Sequence, residues 1–148
     1  MKRAAAVILA AGKGKRMHSS RPKVLHELAG KPLVQYVAEA ALAAGLAPVV
    51  VVIGHGGEEV QGALGEGFLY AWQKEQLGTG HAVMQAMEVL PPEVEQVVVL
   101  AGDVPLLAAT TVQGLVEEFT KAQAKGAVLT AWLADPSGYG RVVRQGDR

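Results

Sequence analysis

The stretch AVILAAGKGKRM at residues 6–17 decides the fold, because an unbroken apolar run passes directly into a loop of glycines and cations. An apolar run without alternation is typical of a strand that is covered on both faces, as in a parallel sheet. The run from Ala4 to Ala11 is far shorter than the roughly 18 apolar residues that a membrane span needs. It also leads into a Gly/Lys loop rather than a cleavage site. We therefore interpret it as a first strand and not as a signal peptide.

Comparable apolar runs recur along the chain and alternate with helical patterns. The later predicted strands cover 49–53, 68–73, 97–100, 128–133 and 140–144, and the predicted helices cover 32–44, 57–64, 79–90 and 111–125. For the last helix, Thr110 or Thr111 is the expected N-cap and Gly126 is the expected C′ residue. Strands that alternate with helices form βαβ units, so we predict a doubly wound α/β fold with a mostly parallel sheet.

The last residues of the chain resemble half of a hairpin. The predicted strand at 140–144 is followed by a turn at Gln145-Gly146-Asp147, and a returning strand would be expected next. Natural domains usually avoid an unpaired strand at a sheet edge. We therefore expect residues 1–148 to form an incomplete domain that is truncated at its C-terminus.

Composition limits the class of protein. The chain has 148 residues and no cysteine. This length suits one domain with a sizeable core, and the lack of cysteine excludes a disulfide scaffold and agrees with a cytosolic location. The four histidines show no HxH or HExxH spacing, so a zinc site has no support. No serine lies in a nucleophile-elbow motif, so a Ser-His-Asp hydrolase has no support either.

The formal net charge is zero, but the charges are unevenly distributed along the chain. Residues 1–31 carry eight basic residues and one acidic residue, whereas residues 32–148 carry six basic and thirteen acidic residues. Nucleic-acid-binding proteins usually have a basic domain rather than one basic loop. The pattern therefore indicates a local site for a small anion.

The loop after the first strand has the composition of an anion site. Gly12 and Gly14 allow backbone N–H groups to approach an anion closely, and Lys13, Lys15 and Arg16 supply positive charge. The spacing fits neither a GxxxxGK[ST] phosphate loop nor a GxGxxG dinucleotide loop, whose third glycine is replaced by methionine here. A P-loop NTPase and a dinucleotide-binding site therefore do not follow, and a plain Gly-Lys surface loop remains the alternative.

A carboxylate follows a later strand. Asp103 comes after the predicted strand at 97–100, within Leu100-Ala101-Gly102-Asp103-Val104-Pro105. Ligands of open α/β sheets bind beyond the carboxyl ends of the strands. A hard oxygen ligand there suits Mg²⁺, which typically takes one or two carboxylates together with substrate phosphates. The alternative is an Asp that begins a turn before Pro105.

The segment QKEQLGTGHA at residues 73–82 has features that suit a base and ribose. Gly78-Thr79-Gly80 opens a predicted helix, whose N-terminus favours anions and exposes backbone groups. The Gln73 amide offers both a donor and an acceptor, as pyrimidine recognition requires. The alternative is an ordinary helix cap that follows a polar strand end.

Five segments together resemble a known family. They are LAAGKGKRM at 9–17, RPKVLHELAGKPLV at 21–34, QKEQLGTGHAV at 73–83, LAGDVPL at 100–106 and PSGYGRVVR at 136–144. In this order, they resemble the N-terminal uridyltransferase (pyrophosphorylase) domain of the bacterial bifunctional N-acetylglucosamine-1-phosphate uridyltransferase / glucosamine-1-phosphate acetyltransferases. The resemblance implies a three-layer Rossmann-like nucleotidyltransferase fold of the nucleotide-diphospho-sugar transferase type.

The resemblance also implies a function. The expected reaction is Mg²⁺-dependent transfer of UMP from UTP to N-acetylglucosamine 1-phosphate, which gives UDP-N-acetylglucosamine and pyrophosphate. The product would serve peptidoglycan and lipopolysaccharide synthesis in the cytoplasm, with no nucleic-acid or membrane partner. The hexapeptide-repeat β-helix that carries acetyltransferase activity and forms the family's homotrimer is not present in residues 1–148.

Residue roles follow from the resemblance, position by position. The residues expected to contact the nucleotide are Leu9, Ala10, Ala11, Gly12, Lys23, Gln73, Gly78, Thr79, Ala101 and Gly102. Arg16 and Lys23 would be catalytic, because they would bind phosphates and stabilise charge during transfer. Asp103 would hold Mg²⁺, and Gly140 would touch the sugar. Ala101 stands where some relatives have tyrosine, which would alter the packing against the ribose.

Some of the family's functional residues have no counterpart in residues 1–148. Its later glutamate and asparagine contacts to the acetylated sugar, and a second Mg²⁺ ligand, would follow residue 148. We therefore expect this chain by itself to bind UTP weakly and to transfer little or no UMP. Two alternatives remain: another sugar-1-phosphate or molybdopterin nucleotidyltransferase, and a nucleotide-binding module without turnover.

Overall fold

The computed structural model of the chain describes residues 4–12, 14 and 20–146. It divides into two compact units, Met1–Gly114 and Leu115–Arg148. The elements in chain order are β1 (Ala4–Leu9), a 3-10 helix (Lys23–Leu25), β2 (Glu27–Leu28), β3 (Lys31–Pro32), α1 (Leu33–Ala43), β4 (Val49–Ile53), α2 (Gly57–Leu64), β5 (Leu69–Trp72), α3 (Thr79–Met87), β6 (Gln96–Ala101) and α4 (Ala109–Lys121). None of the helices among these described residues is long and apolar enough to cross a bilayer.

The first unit is built on a four-stranded sheet with the order β5-β4-β1-β6. All three strand pairs are parallel, and Ile8 of β1 lies opposite Val51 on one side and Leu100 on the other. The central position of β1 explains its composition, because both of its faces and both of its edges are covered. All five residues of β4 are likewise buried. The predicted parallel sheet is therefore confirmed.

Helices cover both faces of this sheet, which gives the predicted three-layer α/β arrangement. On one face, Ala82 and Ala86 of α3 pack against Val7, Val50 and Val52. Because successive strand residues point to opposite faces, the intervening residues of β1 and β4 form the other face. There α1 contacts β1 and β4, and its buried residues are Val34, Val37, Ala38 and Ala41.

A small hairpin, formed by β2 and β3, precedes α1 and is tied to it by an ion pair. Lys31 Nζ lies 2.6 Å from Glu39 Oε2 and 4.5 Å from the centre of the Tyr36 ring. The hydrogen bond from Lys31 lowers the pKa of Glu39 below its ordinary value. The Tyr36 hydroxyl also donates to the Leu28 carbonyl at 2.7 Å. These contacts are structural, and they provide a control for the ion pair of the candidate site.

The ends of α4 differ from the sequence prediction. The helix begins at Ala109, and the Thr111 and Val112 N–H groups donate to the Ala108 carbonyl, so neither Thr110 nor Thr111 is the N-cap. It ends at Lys121, and Gln123 takes the left-handed C′ position with φ 48° in place of Gly126. The Gln123 and Ala124 N–H groups donate to the Thr120 and Phe119 carbonyls, the pattern of a Schellman motif.

The two strands predicted in the second unit are not present. Residues 128–133 and 140–144 have no strand pairing, and they are exposed. A β-branched apolar run becomes a strand only when a neighbour pairs with its backbone groups, and no described residue does so here. Turns do occur among the described residues of this unit. Ser137 N–H donates to Asp135 Oδ1 at 3.0 Å, and Gly146 lies in a turn with a positive φ of 65°. Asp147 lies outside the described residues.

Candidate functional site

The four parallel strands place their carboxyl ends at one edge of the sheet. From β1 the chain moves outward to β4 and β5, then returns to add β6 on the other side of β1. The strand order therefore reverses between β1 and β6, where open α/β sheets form their ligand crevice. The loops after these two strands contain the predicted nucleotide and metal residues. Gln73 follows β5, which lies two strand spacings from β1 and three from β6, or about 10 Å and about 14 Å.

Backbone groups of the loop after β1 are partly used by the sheet itself. The Ala10 N–H donates to the Val52 carbonyl at 2.9 Å, and the Leu9 carbonyl accepts from the Gly102 N–H at 3.0 Å. Ala11 and Gly12 lie beyond the strand, and no described carbonyl accepts from their N–H groups. Four of the predicted nucleotide contacts lie between Leu9 and Gly12. Among them, Ala11 and Gly12 are the two whose N–H groups have no acceptor among the described carbonyls.

Gly12 and Gly102 are glycines for different reasons. A Cβ on Gly102 would lie 2.8 Å from the Leu9 carbonyl oxygen and 3.2 Å from Val24 Cγ1. Packing against β1 therefore requires a glycine at position 102. A Cβ on Gly12 would meet no described atom within 4 Å, and Gly12 does not adopt a left-handed φ. The described fold does not require a glycine at position 12, which agrees with close approach of a ligand there.

We expect Gly102→Ala to lower the free energy of unfolding by about 1–3 kcal/mol, because the added Cβ would overlap a backbone oxygen that cannot move easily. Gly12→Ala is the matched control and should change the free energy of unfolding by less than about 0.5 kcal/mol. Urea denaturation of the two variants measures both values. Equal stability of the two variants would contradict the steric role of Gly102.

An ion pair joins the two loops at the point where the strand order reverses. Lys23 Nζ lies 2.6 Å from Asp103 Oδ2, across 80 positions of sequence. The side chains are 44% and 30% exposed, so both charges can be reached from solvent. An exposed pair of this kind contributes about 0.2–1 kcal/mol to stability. The fold therefore does not depend on it, and both groups remain available to a ligand.

Local structure positions Lys23 at this edge. It begins the 3-10 helix, whose next two residues, Val24 and Leu25, are buried and anchor the turn. Gly14 passes close to it: Gly14 has φ 56°, and a Cβ there would lie 2.8 Å from Lys23 Cβ. Gly14 therefore packs closely against the base of the Lys23 side chain.

The donor set around Asp103 fits a nucleotide-bound Mg²⁺ better than a metal cage made by the protein. Among the described residues, no three His, Cys, Asp or Glu side chains are close enough to hold a metal ion. A single partly exposed carboxylate beside a lysine matches the preference of Mg²⁺ for one or two carboxylates, with the remaining ligands from phosphates and water. Asp103 is the residue that would hold it.

Gln73 is one of two buried polar residues among those described, with only 4% of its surface exposed. Its backbone N–H donates to the Ile53 carbonyl at 2.8 Å, which extends the β4–β5 pairing by one residue. Its amide nitrogen donates to the Gly78 carbonyl at 3.0 Å and lies 3.1 Å from His81 Nδ1. The donor that the sequence analysis assigned to a pyrimidine is therefore already used within the protein.

Gly78 and Thr79 form the beginning of α3, as predicted. Gly78 is the N-cap with φ 102° and ψ 178°, a conformation that is essentially restricted to glycine. No side chain caps this end of the helix, and Thr79 is exposed. The first N–H groups of α3 are therefore available to a polar ligand beside Gln73.

Three predicted site residues remain, and the structure describes two of them, Ala101 and Gly140. Ala101 ends β6 and is exposed, next to the buried Gly102. Arg16 lies outside the described residues. Gly140 belongs to the second unit, where it is exposed and a Cβ would meet no described atom within 4 Å. The proposed roles of all three residues stay predictions.

Sequence reasoning missed three residues that support this edge. A Cβ on Gly54 would lie 3.2 Å from the Ala11 carbonyl oxygen, and one on Gly56 would lie 2.5 Å from Pro22 Cγ. These glycines, which follow β4, allow the loops that carry Ala11 and Pro22 to pack closely. Three glycines within GHGG at 54–57 were the available signal. The third missed residue is His81, whose isolated position in the sequence gave no indication of its contact with Gln73.

Comparison with known proteins identifies relatives of this chain. The curated protein "Bifunctional protein GlmU" of Heliobacterium modesticaldum is 55% identical over 144 residues, which cover 97% of this chain and 31% of that protein. The chain therefore spans about a third of the length of this relative. The relative of Halalkalibacterium halodurans that bears the same name is 52% identical over 139 residues, covering 94% of this chain and 30% of that protein.

Solved structures support the fold. Rv0371c of Mycobacterium tuberculosis H37Rv aligns with a TM-score of 0.71 at 21% identity, covering 82% of this chain and 62% of that chain. The sequence model of the MobA-like NTP transferase domain matches residues 6–139. That match includes the loop after β1, the Gln73 segment and Asp103. From its sequence and its fold, this chain belongs to the MobA-like NTP transferase domain family.

Proposed function

We propose that the natural protein that carries this sequence transfers UMP from UTP to N-acetylglucosamine 1-phosphate with Mg²⁺, giving UDP-N-acetylglucosamine and pyrophosphate. The family membership and the curated relatives support nucleotidyl transfer to a sugar phosphate. The resemblance of the five segments to uridyltransferase domains supports the choice of UTP and of the acetylated sugar phosphate.

The contact between Lys23 and Asp103 carries the proposal. It brings a cation and a carboxylate together at the carboxyl edge, 2.6 Å apart, and Gly14 packs against the same lysine. A triphosphate that enters this crevice would meet Lys23 and the free backbone donors of Ala11 and Gly12. Asp103 would hold Mg²⁺, and the bound ion would neutralise charge on the phosphates. The positions of Lys23, Asp103, Ala11 and Gly12 support binding of a metal-bound triphosphate.

The chemistry needs no general base from the protein. The second pKa of a phosphate monoester is about 6, so the sugar phosphate is largely dianionic near neutral pH. One of its oxygens forms a bond to the α-phosphorus of UTP, and the bond between that phosphorus and the bridging oxygen to the β-phosphate breaks. Pyrophosphate leaves with the electron pair. The chain's residues then align two anions and stabilise negative charge, for which Lys23 and Arg16 are suited.

Nucleotide competition tests the choice of donor. We expect UTP to bind residues 1–148 more tightly than CTP, GTP or ATP by about tenfold or more, as measured by isothermal titration calorimetry with Mg²⁺. If GTP or CTP displaces UTP, uracil reading by Gln73 is wrong.

The acceptor is tested with the natural protein that carries this sequence. Pyrophosphate release should be faster with N-acetylglucosamine 1-phosphate than with glucose 1-phosphate, and the reverse order would contradict the proposed acceptor.

A further inference from the structure

His81 is a residue to which the proposed reaction assigns no role, yet it contacts the buried side chain expected to read the base. It occupies the first turn of α3, and its Nδ1 lies 3.1 Å from Gln73 Nε2. We propose that His81 is a positioning residue that sets pyrimidine specificity by occupying one of the two Gln73 amide protons. It can do so only if Gln73 reads the base, so the inference rests on the proposed function.

The orientation of the Gln73 amide follows from its other partner. The Gly78 carbonyl can only accept a hydrogen bond, so the amide atom 3.0 Å away must be the nitrogen. That nitrogen also faces His81 Nδ1 and cannot accept from it. His81 Nδ1 is therefore the acceptor, and the neutral ring carries its proton on Nε2. One amide proton goes to Gly78 and the other to His81.

The consequence is that Gln73 presents only an acceptor. Both amide protons are used, and no described donor binds the amide oxygen. Uracil has an N3–H donor, which this oxygen can accept. Cytosine has an unprotonated N3, whose lone pair would face the amide oxygen and be repelled. Burial of Gln73 makes such a mismatch costly, because water cannot readily compensate an unpaired polar group.

Removing the His81 acceptor would release one amide proton. Only the Gly78 carbonyl would then hold the amide in its present orientation. The amide could turn over more easily and donate to cytosine N3, and discrimination against CTP would fall. Leucine and asparagine provide a matched pair of variants, since both side chains branch at Cγ and have the same number of heavy atoms. Asn Oδ1 stands where His Nδ1 stands and can accept from Gln73, whereas the corresponding Leu methyl group cannot.

Isothermal titration calorimetry of UTP and CTP tests the proposal on the wild-type chain, His81→Leu and His81→Asn. We expect the ratio of the CTP to the UTP dissociation constant to fall about tenfold in His81→Leu, the value of one hydrogen bond. In His81→Asn the ratio should stay within about threefold of wild type. Thermal unfolding of both variants checks that they are folded.

Other outcomes would overturn the proposal. If both variants lose UTP and CTP affinity equally, His81 has only a structural role. If the wild-type chain itself does not prefer UTP, the proposed function fails first, and the inference fails with it. A wild-type preference that His81→Leu leaves intact refutes the inference alone.

A measurement on the wild-type chain does not depend on any variant folding. Nitrogen-15 NMR should show an unprotonated His81 Nδ1 and a scalar coupling between this nitrogen and the Gln73 amide nitrogen. A proton on Nδ1 of the neutral ring would exclude it as an acceptor and would overturn the proposal.

Discussion

Asp103→Asn is expected to remove the Mg²⁺-dependent part of UTP binding and to reduce the rate of transfer by about 10²-fold or more. Asparagine keeps the shape of aspartate but lacks the charge that a hard divalent cation requires. Calorimetry on residues 1–148 measures UTP binding with and without Mg²⁺. The rate of pyrophosphate release is measured on the natural protein that carries this sequence.

Glu39→Gln is the matched control for this variant. Glu39 and Asp103 each lie 2.6 Å from a lysine ammonium group, and both carboxylates are partly exposed. Only Asp103 lies at the carboxyl edge of the sheet. Glu39→Gln should therefore leave the Mg²⁺ dependence of UTP binding unchanged. Equal effects of the two substitutions, or near-normal Mg²⁺ dependence in Asp103→Asn, would remove Asp103 from the metal role.

Lys23→Met is expected to weaken UTP binding by about 10- to 100-fold both with and without Mg²⁺, because a charge-assisted hydrogen bond to a phosphate is lost. Methionine keeps most of the length of the lysine stem while removing its charge. Lys31→Met is the control, since Lys31 pairs with Glu39 at the same 2.6 Å distance on the hairpin that precedes α1. UTP affinity equal to wild type in Lys23→Met would contradict a phosphate role for Lys23.

The two site variants should differ most clearly when the metal is chelated. Without Mg²⁺, Asp103 contributes only negative charge beside the triphosphate, so Asp103→Asn should bind UTP as well as wild type or better. Lys23→Met should still bind poorly under that condition. Neither variant should lose more than about 1 kcal/mol of stability, because the pair is partly exposed. A loss of UTP binding by Asp103→Asn in chelator would indicate a structural role instead.

Local sequence patterns predicted the strands of the sheet because a strand that is buried on both faces consists of an unbroken run of apolar residues. The run that includes Val7 and Ile8 became the central strand, and Val49–Ile53 became β4 with the predicted bounds. The Gly/Lys loop and Asp103 are predicted site residues because of their side-chain chemistry and their positions after strands. Parallel strands bring such positions to one edge of a sheet, so the region of the site followed from the pattern.

Predictions from local sequence were wrong where contacts with other parts of the chain decide the backbone conformation. The apolar run at 128–133 has the composition of a strand, but no described backbone pairs with it. Thr110 and Thr111 are good N-caps, yet the helix begins before them, at Ala109. Gln123 adopts the left-handed conformation that was expected of Gly126. Propensities of this size, below about 1 kcal/mol for ordinary residues, are readily overridden by the surrounding structure.

The sequence by itself therefore determined the α/β class, the central strand and the chemical types at the candidate site. Only the tertiary structure decided which groups meet: Lys23 with Asp103, and Gln73 with Gly78 and His81. It also decided that Gly102 is required by the nearby Leu9 carbonyl, whereas the described fold leaves space at Gly12. The physical reason is that periodicity and composition record burial along the chain, while hydrogen-bond partners and close contacts depend on distances between separate segments.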